Sequence, residues 1–224
     1  MKVEINVPDS LKEITLDQYQ RFEKLNTEEN KESTFLLQKM VEIFCNIPLK
    51  QVLQIKATDI NNICEELSKL FNNEPKFIDR FTLNDKEFGF IPKLDDISFG
   101  EYVDLDTYLA DWDLMNKAIG VLYRPITYKK KQQYLIEEYE SAEKYDMTEV
   151  TLDIVFGAIV FFYSLKNELQ KTILNYLATQ KEVELPQHLR DSLQNGAGIN
   201  LSTDLLMETF SNTIKLPNQN YTPV

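Results

Sequence analysis

The hydrophobic spacing of this 224-residue chain changes period twice, and the change constrains the fold more than anything in its composition. Before Pro75 the apolar residues recur every three or four positions, as helices buried on one side require. The Thr15-Leu-Asp-Gln18 sequence has the form of a capping box and predicts a helix over 16–25. Leu36, Leu37, Met40, Val41 and Phe44 predict a second helix over 34–45, and Pro48 opens a short third. A fourth begins near Asp59, with Ile60, Ile63, Leu67, Leu70 and Phe71 turned inward. From Arg80 to Pro92 the period shortens. R-F-T-L, N-D-K-E and F-G-F-I-P read as a hairpin with Asn84-Asp85 at its turn.

Helical spacing then returns. A helix is expected over Phe99–Ala110, with Tyr102, Leu105 and Leu109 on its inner face. Another is expected from Trp112 or Asp113 to Tyr123, stopped by Pro125. Residues 126–139 carry β-favouring side chains around a lysine run and suggest a second hairpin. Thr148–Lys181 is the longest helix candidate, stepping through Val155, Ile159, Phe162, Leu165, Leu169, Ile173 and Leu177. K-V-E-I-N-V at 2–7 predicts a short strand. The expected fold is therefore mainly α with a minor β component. It comprises a helix-rich globular domain at 1–182 and a C-terminal amphipathic segment and tail at 183–224. Phe90, Pro92, Phe99 and Trp112 are expected to be buried, clamping the 80–92 hairpin to the helices.

Hydrophobic residues make up 43% of the chain, enough for a substantial core. The net charge of −12 argues against non-specific binding to nucleic acid, which depends on cations meeting phosphates, and against anionic membrane surfaces. The N-terminal MKVEINVPDS has no apolar signal core, and the apolar run Ile154–Tyr163 is too short to span a bilayer. A soluble cytoplasmic protein is the expectation. Cys45 and Cys64 lie in helix-like apolar patterns and read as buried free thiols, with a single disulfide as the alternative.

Motifs for chemistry are mostly missing. There is no phosphate-binding loop, no G-x-G-x-x-G and no C-x-x-C, and the lone His188 reads as a surface residue. The exception is residues 88–113, where Asp95, Asp96, Glu101, Asp104, Asp106, Asp111 and Asp113 are crowded together. An EF-hand reading fails, because Tyr108 stands where a third oxygen ligand belongs and Leu109 where glycine must turn. Paired carboxylates could serve a hydrolase. Amphipathic patterning explains more of the positions: Glu101, Asp104 and Asp111 fall on the solvated side of the helix, and Asp95, Asp96 and Glu101 near its N-terminus. Lys129-Lys130-Lys131, between Tyr128 and Tyr134, reads as a hairpin tip that could face the acidic stretch. Single-stranded nucleic acid is the alternative.

F-G-F-I-P-x-L-D-x-I-S-F-G-E-Y-V-D-L-D-T-Y-L at 88–109, W-D-x-M-x-K-A-I-G-V-L-Y-R-P-I at 112–126 and Y-L-I-E-x-Y at 134–139 resemble a protein encoded in the virion-morphogenesis clusters of tailed bacteriophages. The apolar helix after Asp153 and the N-G-A-G-I at 195–199 fit the same pattern, so the resemblance spans about residues 1–215. It implies a non-enzymatic assembly factor, akin to tail or baseplate-hub assembly chaperones, or else a permanent component of the tail or connector. It carries no catalytic residues, metal ligands or cofactor. The implied partners are phage structural proteins of the tail, baseplate or connector, met in the host-cell cytoplasm or in the virion. Phe90, Pro92, Phe99, Tyr102, Trp112 and Pro125 belong to the resembling segments and are expected to have structural roles. Leu206, Phe210 and Ile214, a stripe on a short C-terminal helix, are the candidate partner-binding residues.

Overall fold

The computed structural model describes residues 5–31, 33–73, 75–93, 97–131 and 133–164. Residues 5–158 belong to one compact unit. Residues 159–164 are the described part of a second; they are helical, with the Ser164 hydroxyl donating to the Val160 carbonyl at 2.8 Å. The expected boundary near residue 182, His188 and the stripe of Leu206, Phe210 and Ile214 lie outside the described residues.

The first unit opens with four helices: α1 (Leu16–Glu23), α2 (Thr34–Phe44), α3 (Leu49–Val52) and α4 (Ala57–Phe71). The capping box predicted at Thr15 is formed. Its side chain accepts from the Gln18 N–H, and the Gln18 side chain accepts from the Thr15 N–H at 2.9 Å. Pro48 serves as the N-cap of α3 rather than its first residue. Aromatic rings fill the space between these helices. Phe44 lies 5.1 Å from Phe22 and 5.3 Å from Phe71, and Tyr19 lies 4.9 Å from Trp112. Such offset and edge contacts add to the area the rings remove from water.

The next section is a sheet interrupted by helices: β1 (Arg80–Leu83), β2 (Lys86–Phe90), α5 (Phe99–Tyr108), α6 (Met115–Leu122), β3 (Tyr123–Lys130) and β4 (Gln133–Ile136). All four strands form one antiparallel sheet in the order β1-β2-β3-β4. Asn84 and Asp85 both have positive φ, 49° and 61°, as a two-residue hairpin turn that follows the twist of its strands requires. A seventh helix, α7, begins at Leu152 and takes up the last residues of this unit, 152–158. The start of α7 is tied back to α1: the Leu16 N–H donates to the Val150 carbonyl at 2.8 Å, and the Leu152 N–H to the Ile14 carbonyl at 2.9 Å.

Several expectations need correction. Among the described residues 49% are helical and 15% are strand, so the fold is mixed α/β rather than mainly α with a minor β component. The two hairpins join into one sheet because β3 pairs with β2 as well as with β4. Residues 5–7 form no strand. Pro125 does not end a helix: the chain changes from helix to strand at Tyr123, and Pro125 sits inside β3 opposite Phe88. The Ile91 N–H donates to the Leu122 carbonyl at 2.9 Å, which makes Phe88–Pro125 a non-hydrogen-bonded pair by alternation. That ladder therefore loses nothing by the missing proline N–H. Phe90 is buried as expected, but Trp112 is only half-buried, and Pro92 and Phe99 are exposed.

Close approaches fix the sheet against its neighbours. A Cβ on Gly89 would lie 2.5 Å from the Tyr134 ring, and one on Gly120 would lie 2.5 Å from the Ala142 carbonyl oxygen. The Tyr134 hydroxyl donates to the Phe90 carbonyl at 2.8 Å, and the Tyr123 hydroxyl to the Ile78 carbonyl at 2.6 Å. Cys45 and Cys64 are free and buried, and burial pushes their thiols up to about 11 and about 12.

Candidate functional site

The acidic helix α5 is the most informative place on the molecule. Its start is built locally. Ser98 accepts from the Glu101 N–H at 3.3 Å, and Glu101 accepts from the Ser98 N–H at 2.6 Å, a second reciprocal capping box. This box turns Glu101 inward. Its other oxygen meets Arg124 of β3 at 2.7 Å, and the side chains of Arg124 and Glu101 are only 11% and 7% exposed.

A buried charge pair must offset the loss of hydration at both ends, and it does so only with good geometry and further hydrogen bonds. Here the capping N–H supplies one such bond. The Arg124 guanidinium also lies 5.6 Å from the centre of the Tyr139 ring, where the π face attracts a cation. The Tyr139 hydroxyl donates to the Asp104 carboxylate. Burial first, and this hydrogen bond second, hold the phenol well above its ordinary value, so it keeps its proton. Arg124 Nε has no hydrogen-bond partner among the described residues.

The inward face of α5 is therefore Glu101, Leu105 and Leu109, with Asp104 and Tyr108 at its margin. The expected inner face was Tyr102, Leu105 and Leu109, with Glu101 in solvent. Both Glu101 and Tyr102 are reversed. Phe99, expected in the core, is 81% exposed, and Tyr102 and Val103 are about half exposed. These three occupy positions i, i+3 and i+4, so they form one continuous apolar ridge on the outer side of the helix. Asp106 is exposed beside them.

The acids do not converge. Asp104 faces Tyr139, Asp106 faces solvent, Asp111 caps the turn at Trp112 by accepting from the Asp113 N–H at 2.9 Å, and Asp113 pairs with Lys24 at 3.4 Å. Asp95 and Asp96 lie outside the described residues. Among the described residues, no three His, Cys, Asp or Glu side chains gather as a metal-holding set. The lysine run does form a hairpin tip. Lys129 faces Glu87 of β2 at 2.5 Å rather than the acidic stretch.

An open groove of about 500 Å³ lies beside α1 and is lined by Glu13, Asp17, Arg21, Cys45 and Asn46, among others. Its charged groups are partly engaged already, since Arg21 pairs with Asp17 at 3.4 Å. Glu13 is pushed up by loss of hydration and by the neighbouring Asp9.

The Glu101–Arg124 pair escaped the sequence reading, although two signals pointed to it. Ser98-Phe-Gly-Glu101 has the capping-box form. Arg124 is the only charge in V-L-Y-R-P-I, and a base within so apolar a run requires an acid to meet it. Among the described residues, no helix is long and apolar enough to cross a membrane. No protein family, curated protein or solved structure matches this chain.

Proposed function

We propose that this chain is a non-enzymatic bacteriophage assembly factor of the tail or baseplate chaperone kind, and that it works by holding another polypeptide against the outer face of α5. The observation that carries the reading is the ridge of Phe99, Tyr102 and Val103, held outside the core on a helix capped at its start and fixed from within by a buried ion pair. Aromatic side chains of this kind anchor protein interfaces at low entropic cost. The resemblance of residues 88–126 to phage morphogenesis proteins supports the same reading, because the ridge lies within that segment. A charge of −12 suits an abundant factor that must stay dispersed in the host cytoplasm while exposing apolar surface.

The test is native recovery of the tagged chain from infected cells, read by mass spectrometry beside purified particles. A tail, baseplate or connector protein should be captured in fixed ratio, and the chain should be depleted from mature particles. Fixed stoichiometry within particles would instead make it a permanent virion component. Recovery free of any virion protein would overturn both readings.

A further inference from the structure

A second surface of the chain is the chemical complement of the α5 ridge. At the tip of the β3–β4 hairpin, Tyr128 and Leu135 are register partners and so share one face of the sheet. They are 56% and 61% exposed. Lys130 lies two residues on from Tyr128 and projects from the same face. Lys131 follows in the turn, with φ of 56°. Lys129 projects from the opposite face and is engaged by Glu87, whereas Lys130 and Lys131 make no ion pair among the described residues.

The tip is thus apolar with unspent positive charge. The α5 ridge is apolar with unspent negative charge, since Asp106 makes no ion pair among the described residues. We infer that the two surfaces bind each other between copies: the β3–β4 tip of one molecule docks on the α5 ridge of the next. Tyr128 and Leu135 meet Phe99 and Tyr102, and Lys130 and Lys131 approach Asp106. The contact is heterologous, with a different patch from each copy, so every open assembly, whatever its length, keeps one free ridge and one free tip until a ring closes. Its local charge pairing opposes the repulsion between two bodies of −12 each and sets the register of approach. This inference rests on α5 being a docking face, and names a second copy as an occupant of that face.

The purified chain alone tests it, by sedimentation velocity over a rising concentration series. The wild type should show mass above the monomer that grows with concentration. A ridge-blocked variant, Phe99→Lys with Asp106→Lys, and a tip-blocked variant, Tyr128→Ser with Leu135→Ser, should each weaken self-association about tenfold or more, and the blocked ridge and the lysine-bearing blocked tip repel each other. All four positions are exposed, and thermal melting of each variant should match the wild type. Mixed in equal amounts, the two blocked variants should form a dimer and stop there, because only one intact ridge and one intact tip remain to pair. A wild type that stays monomeric, a blocked variant that associates as well as the wild type, or a mixture that stays monomeric would each overturn the inference. A monomeric wild type that still captures a virion protein from infected cells would defeat the self-contact and leave the assembly reading standing.

Discussion

Helices α4 and α5 both present one face to the body of the protein, yet they choose that face in different ways. In α4 the buried residues Ile60, Ile63, Cys64, Leu67 and Phe71 form one stripe, and the positions between them are mostly polar. Turning α4 by a third of a turn would drown that stripe and bury Glu65, Glu66 or Lys69, so its orientation follows from its own sequence. In α5, Phe99, Tyr102, Val103, Leu105 and Tyr108 are spread around the helix. No rotation buries them all, and hydrophobicity alone leaves the choice nearly even. What decides it is Arg124, a base already held in the apolar interior by β3, which recruits the one acid that the capping box has aimed inward. A helix without a dominant stripe takes its orientation from its partner, and here that leaves an aromatic ridge in water.

The sharpest way to break this comparison is to delete the same ring from each helix. Phe71→Ala removes a ring that is 2% exposed and should cost about 3–5 kcal/mol, read as a lowered urea midpoint with an unchanged slope. A loss under about 1 kcal/mol would mean that the α4 stripe does not carry the core as described. The orienting role of the ion pair is tested next. Glu101→Leu leaves Arg124 buried without its acid and should cost about 3–5 kcal/mol. Adding Arg124→Met should restore all but about 1 kcal/mol, the share owed to the lost capping bond. If the double variant is no more stable than the single, the pair does not decide which way α5 faces. The smallest effect belongs to Phe99→Ala, which should change stability by less than about 0.5 kcal/mol because the ring it removes is already in solvent. A large loss at that position would place Phe99 back in a core.

The chain is most legible where neighbouring residues settle the matter among themselves. The Thr15 capping box and the Asn84-Asp85 turn depend on contacts within a few positions and are found as the spacing predicts, and so is the inward stripe of α4, except that buried Cys64 joins it and Leu70 is only half-buried. The errors fall where the outcome depends on a distant residue. Pro125 was expected to stop a helix, but its register against Phe88 lets it sit inside β3 without taking a hydrogen bond from the β2–β3 ladder. The separate hairpins became one sheet through pairing of residues about 35 positions apart, which no local period reports. Pro92 and Phe99 were expected in the core as a clamp between the 80–92 hairpin and the helices, yet the rotation of α5 places Phe99 in solvent and Pro92 is exposed as well.

Sequence alone therefore determined that this chain alternates helical and extended segments, where most of them begin, and which positions of the helical region reach a core. It did so because caps, turns and apolar periods are short-range energies summed along a backbone. Tertiary structure alone decided how the strands join and which side of α5 meets the body. A buried arginine charge is tolerable only beside a carboxylate, and only folding could bring Glu101 and Arg124 to 2.7 Å.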